Sequence, residues 1–216
     1  MKRFLLLVAS LFVGYMGFNG SEATAQNAQQ LTLEDITGGK YNPQYVYGVN
    51  PMKDGESYTQ LSNDSKRIIR RSFKTGKELG VVFDAETARG PKKLEAIDGY
   101  IMSPDERRIL LRTQTHPIYR RSYTAVYYIY DVENKKFEAL SDGGPQQMPT
   151  FSPDGNNIAF VRDNNLYLVK LLFGNAESQI TKDGKFNEVI NGLPDWVYEE
   201  ELSTNRSFDF SSDSQM

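Results

Sequence analysis

Phe151-Ser152-Pro153-Asp154-Gly155 leads at once into the apolar run Ile158-Ala159-Phe160-Val161. Proline presets φ early in a turn, aspartate bonds the backbone just beyond itself, and glycine accepts positive φ. These five residues describe a tight reversal from one strand into the next. The unit recurs as Met102-Ser103-Pro104-Asp105-Glu106 ahead of Ile109-Leu110-Leu111, and as Phe210-Ser211-Ser212-Asp213-Ser214. A degenerate copy stands at Leu61-Ser62-Asn63-Asp64-Ser65. Counted from the leading apolar residue, the copies start at 61, 102, 151 and 210, so they lie 41, 49 and 59 residues apart. A repeat of about 40–50 residues holding several strands is the pattern of β-propeller blades. One blade cannot bury both of its faces, so neighbours must stack around an axis. A β-sandwich with chance turn similarity is the alternative.

The segments between the turns support an all-β reading. Arg67–Arg70, Val81–Phe83, Ile109–Leu111, Ala125–Tyr130, Ile158–Val161 and Leu166–Val169 read as strands. Lys74–Lys77, Glu133–Lys136 and Arg162–Asn165 read as hairpin turns between them. No long stretch carries a helical apolar period. Ahead of this region, Thr32–Ile36 has the composition of a single helical turn, or of an entry into the domain.

The formal charge of −3 over 216 residues gives no basic footprint for a nucleic-acid partner. Hydrophobic residues make up 39% of the chain, enough for a core and too many for a disordered segment. Lys2 and Arg3, the apolar run Phe4–Phe18 and the small-residue site Ala23-Thr24-Ala25 form a signal-peptide pattern. The run falls short of the roughly 20 apolar residues of a spanning helix, which disfavours a membrane anchor. We therefore expect residues 1–25 to be a signal peptide and residues 26–57 an entry segment. Residues 58–216 are expected to form an incomplete β-propeller. There is no cysteine, so disulfides and thiolate metal sites are excluded. An exported chain without cysteine fits a periplasm or a cell surface.

The last and longest repeat step contains Asp195-Trp196-Val197-Tyr198-Glu199-Glu200-Glu201, with the only tryptophan and three consecutive carboxylates. Adjacent acids repel, so either water or a cation must stabilise them. One reading is a solvated acidic turn, and the other is a carboxylate pair that captures a cationic group. No metal site is read; calcium at the triplet is a lesser alternative. No cofactor is implied.

The heptapeptide matches the Asp-Trp-Val-Tyr-Glu-Glu-Glu signature of the dipeptidyl peptidase IV family. Thr181–Lys185 with Asn191-Gly192, Tyr119–Ala125 and Ile129-Tyr130-Asp131 also resemble that family. The resemblance implies an exported serine peptidase, commonly dimeric, with an eight-bladed propeller followed by an α/β-hydrolase domain. Such enzymes release dipeptides from peptide N-termini, preferring Pro or Ala second. On this reading the chain holds about three of the eight blades and would be inactive and poorly stable alone, its partner domain lying outside it. It contains no Gly-x-Ser-x-Gly elbow, and its one histidine, His116, precedes Pro117, so no catalytic residue is assigned. The resemblance makes Glu200 and Glu201 the ligands of the substrate α-amino group. Arg120 is their cationic neighbour, with Arg121 as the alternative should the match be shifted by one. Glu199 is expected to be supporting or solvated. Adjacent residues diverge on strands and on regular helices, so Glu200 and Glu201 can converge only at a turn or short irregular helix; we expect Asp195–Leu202 to leave its blade as an insertion forming a brief helical turn, anchored by packing of Trp196 and Tyr198. A non-enzymatic envelope propeller that binds other proteins is the alternative function.

Overall fold

A computed structural model describes residues 31–43 and 46–214. The signal-peptide segment lies outside the described residues. Among those described, no helix is long and apolar enough to cross a membrane. The chain divides into a unit up to Tyr45 and a unit from Val46 onward. In the first unit, α1 (Leu33–Thr37) is closed by a capping box, Thr32 and Asp35 each bonding the other's backbone N–H.

The second unit is built from three four-stranded antiparallel meanders, which are three blades of a partial β-propeller. The first comprises β1 (Asn50–Pro51), β2 (Ser57–Leu61), β3 (Arg67–Ser72) and β4 (Glu78–Asp84). The second comprises β5 (Gly99–Met102), β6 (Arg108–Pro117), β7 (Tyr123–Asp131) and β8 (Lys136–Ala139). The third comprises β9 (Gln147–Phe151), β10 (Asn157–Arg162), β11 (Asn165–Lys170) and β12 (Ala176–Gln179). Each strand pairs with its sequence neighbour, as short hairpin loops require. The β10–β11 turn carries positive φ at both Asp163 and Asn164, the geometry a two-residue hairpin favours.

Two buried clusters show how the blades stack. Ile68 and Phe83 of the first blade meet Ile109, Leu111, Tyr128, Tyr130 and Phe137 of the second. Leu110, Tyr127 and Ile129 of the second meet Phe151, Ile158, Phe160 and Val169 of the third. Successive residues on a strand point to opposite faces, so Leu110 serves one interface and Leu111 the other. The central strands of the middle blade are therefore covered on both sides, and Ile109–Leu111 and Ala125–Tyr130 read as continuous apolar runs rather than as alternations.

The repeated turns close in one way. The Ser103 hydroxyl donates to Asp105 at 2.6 Å and the Ser152 hydroxyl to Asp154 at 2.5 Å. The backbone N–H two residues beyond each aspartate donates to it, from Arg107 and Asn156 respectively. Both turns lie between the first and second strands of a blade. The turn at Ser62–Ser65 has the same Ser-to-Asp bond, but it joins β2 to β3, so the first copy expected at Leu61 is not the equivalent one. The equivalent is Met52-Lys53-Asp54-Gly55-Glu56, between β1 and β2. There Gly55 N–H bonds Met52, Glu56 N–H bonds Asp54, and Gly55 has φ +69°. Met52, Ser103 and Ser152 are 51 and 49 residues apart, more even than the spacing counted from Leu61. Equivalent turns also touch their neighbours: Lys53 N–H donates to Glu106, Arg108 to the Gly155 carbonyl, and Asp154 N–H to Ser214.

These bonds hold the turn aspartates below their ordinary value. The Ser152 hydroxyl is the main cause for Asp154, and the Ser62 hydroxyl for Asp64. For Asp105, burial pushes upward, but the Ser103 hydroxyl and Arg107 N–H outweigh it. A depressed folded-state value stabilises the fold above the unfolded value of 3.8, and that contribution disappears as pH falls through the depressed value. Thermal melts of the full-length gene product are accordingly expected to hold level down to about pH 5 and to fall steeply below about pH 4. Asp154→Asn should flatten that acid limb; an unchanged acid limb would count against the turn assignment.

After β12 the chain returns across the third blade, Asn191 N–H bonding the Asn164 carbonyl and Arg206 the Thr150 hydroxyl. Gly192, at φ +79°, sits where a Cβ would meet Val161 at 2.7 Å and Phe208 at 3.3 Å. Both the conformation and the close approach select glycine at this position. Ser207 N–H bonds the Gly192 carbonyl, so the loop between 192 and 207 leaves and rejoins at one point. That loop carries the acidic stretch.

Candidate functional site

Within the loop, Trp196–Leu202 forms the helix α2. Asp195 caps it, its carboxylate accepting from Val197 N–H at 2.9 Å and Tyr198 N–H at 3.2 Å. This satisfies two of the N–H groups that a helix start leaves open. Ser203 ends the helix in the left-handed conformation, its N–H returning to the Tyr198 carbonyl. The brief helix expected here is present.

Its anchoring differs from expectation. Trp196 and Tyr198 are 51% and 53% exposed and do not dock α2 by packing. The buried residue is Glu199, only 4% exposed. The Glu199 side chain is turned instead to the tip of the β6–β7 hairpin. Glu199 Oε1 accepts from Arg121 N–H at 2.7 Å and from Ser122 N–H at 2.9 Å. Burial alone would raise the Glu199 carboxyl. The Ser122 side chain and the two backbone N–H groups outweigh it and hold the carboxyl below the usual glutamate range.

The hairpin tip supplies the cation. Among the described residues, β6 and β7 are the longest strands, and they carry the turn Ile118–Ser122. Gln114 at φ +53° marks the register shift between Thr113 and His116 that re-aims the extension. Arg120 Nη2 lies 2.9 Å from Glu200 Oε1, with the arginine side chain 66% and the glutamate 24% exposed. Of the two candidate arginines, it is Arg120 whose side chain meets the acid, while Arg121 contributes its backbone. Glu201 is exposed in the last turn of α2 and makes no side-chain hydrogen bond or ion pair among the described residues. His116 is exposed on β6. Among the described residues, no three His, Cys, Asp or Glu side chains are grouped to hold a metal ion.

A cleft of about 600 Å³ opens beside α2, with Ile118, Tyr119, Ser122, Phe186, Trp196 and Glu199 in its walls. Trp196 thus lines an open cleft instead of a core. Chemically, the site presents one carboxylate neutralised by a largely exposed guanidinium and a second carboxylate facing water. Each carboxylate is an acceptor for charge-assisted bonds from N–H donors.

Residues 103–216, which include both the hairpin tip and α2, match the family model of the dipeptidyl peptidase IV (DPP IV) N-terminal region. The chain belongs to that family. It is 34% identical over 198 residues to prolyl endopeptidase FAP of Homo sapiens, spanning 91% of this chain and 25% of the relative. It is 32% identical over 210 residues to "Probable dipeptidyl-aminopeptidase B" of Aspergillus fumigatus, spanning 87% of this chain and 22% of that one. Among solved structures, it resembles Porphyromonas gingivalis dipeptidyl peptidase 4 with a TM-score of 0.76 and 39% identity, covering 86% of this chain and 26% of that one. The chain thus spans about a quarter of the length of these relatives.

Proposed function

We propose that this chain is the amine-anchoring portion of an exported serine dipeptidyl peptidase that releases Xaa-Pro and Xaa-Ala dipeptides. The catalytic Ser, Asp and His belong to an α/β-hydrolase domain of the same gene, and the complete enzyme works as a homodimer. Glu200 and Glu201 take the substrate ammonium group, and Arg120 keeps Glu200 in place while the site is empty. The observation that carries this reading is the 2.9 Å Arg120–Glu200 pair on a helix that leaves Glu201 unengaged beside it.

The chemistry follows from donor counting. An ammonium has three N–H donors, and two carboxylates satisfy at least two of them with charge-assisted bonds. The exposed Arg120–Glu200 pair itself contributes at most about 1 kcal/mol to stability. It is therefore suited to rearranging when a substrate amine arrives. Requiring a free amine makes the enzyme an exopeptidase, and the fixed distance from anchor to nucleophile sets the product at two residues. The helix breaks no bond itself.

The test is kinetic. The full-length gene product is expected to cleave an Ala-Pro chromogenic substrate and to leave its N-acetylated counterpart essentially untouched. Comparable turnover of both would overturn the reading, and so would a gene that continues only into further blades, as the binding-module alternative requires.

A further inference from the structure

Glu199 is an inverted feature of α2. The apolar side chains of that helix, Trp196, Val197, Tyr198 and Leu202, are all more than half exposed, while the carboxylate between them is buried. A helix of seven residues without a docked apolar face has little to hold it. Glu199 Oε1 bonds two consecutive backbone N–H groups, those of Arg121 and Ser122. Each end of this clamp is one residue from a member of the ion pair: Arg120 precedes Arg121, and Glu200 follows Glu199.

We propose that Glu199 is a positioning residue, its carboxylate fastening α2 to the hairpin tip and thereby setting the spacing of Arg120 and Glu200. The proposal rests on the amine-anchoring reading for its functional consequence, though the clamp itself does not. Backbone N–H groups have no rotamer freedom, so bonds to them fix the helix more firmly than a bond between two long side chains. Removing the carboxylate leaves two N–H groups at the hairpin tip unpaired and lets α2 shift. Arg120 and Glu200 then meet only part of the time, and the substrate amine encounters an unformed site.

A single oxygen takes both donors, so a glutamine can do the same with its carbonyl. That separates geometry from charge. In the full-length gene product, Glu199→Gln is expected to keep kcat/KM for the Ala-Pro substrate within about threefold of wild type. Glu199→Ala should lower it about tenfold or more, chiefly through KM. Combined with Glu200→Ala, Glu199→Ala should add less than about twofold, because a clamp that acts through Glu200 has nothing left to position. Hydrogen exchange at the amides of 121 and 122 should be slow in wild type and Glu199→Gln and at least tenfold faster in Glu199→Ala. Additive effects of the two alanine changes overturn the positioning role, as does a glutamine variant as impaired as the alanine one. Unchanged exchange overturns the clamp. Should Glu200→Ala leave activity intact, the amine-anchoring reading and the positioning role both fail, and the exchange rates alone decide the clamp.

Discussion

Glu200→Ala in the full-length gene product is expected to lower kcat/KM for an Ala-Pro chromogenic substrate by about 10- to 100-fold. The magnitude is that of one charge-assisted hydrogen bond, roughly 1.5–3 kcal/mol, at about 1.4 kcal/mol per factor of ten. Glu200 also holds Arg120 at 2.9 Å, so its loss leaves a guanidinium where the ammonium should sit, and like charge repels. Glu201→Ala removes the carboxylate that is unengaged in the empty site and should cost a similar factor. The double variant should lose on the order of 1,000-fold if the two bonds act independently. Thermal stability should hardly change in any of them, because one carboxylate is exposed and the other belongs to a largely solvated pair. Retained turnover by both single variants would remove these residues from substrate binding.

The second large effect concerns the blades. Leu110→Ala and Leu111→Ala are each expected to destabilise the fold by about 2–5 kcal/mol. Both side chains are fully buried, Leu110 against the third blade and Leu111 against the first. Neighbours on a strand point to opposite faces, so only a sheet covered on both sides makes two consecutive leucines equally costly. Leu79→Ala, at a side chain 56% exposed, should fall within about 0.5 kcal/mol of wild type. Denaturant unfolding of the three variants of the full-length gene product checks this. A cheap Leu110 beside a costly Leu111 would mean that one face of the middle sheet is wet, as in the sandwich alternative.

Much of the fold is legible in the sequence because its signals are local. The strands Arg67–Arg70 and Ile158–Val161 each fall inside an observed strand, and the Arg162–Asn165 turn has positive φ where the hairpin needs it. The Ser-Asp turns announce the repeat through bonds made within five residues. The same locality makes the copy at Leu61 misleading. Ser62 and Asp64 make that bond at a different turn of the blade, whereas the equivalent turn has Met52 in place of serine. Local chemistry identifies a turn, and only strand order says which turn it is. β1, two residues long and half proline, carries no period that could have revealed the start of the first blade.

The site divides along the same line. The heptapeptide identifies the helix and its acids, and Asp195 is a readable cap. The role of Glu199 is not legible in the sequence, because its partners are backbone groups 77 and 78 residues away and backbone groups leave no mark there. Aromatic side chains are usually buried, which is why Trp196 and Tyr198 look like anchors; here a polar clamp replaces them.

The most direct test of the central claim is the crystal structure of the full-length gene product with a free-N-terminal Xaa-Pro dipeptide bound. The account predicts the dipeptide ammonium about 3 Å from carboxylate oxygens of both Glu200 and Glu201, with Arg120 shifted towards the neighbouring carbonyl. An ammonium bound elsewhere, with Arg120 and Glu200 still closed on each other, would contradict it.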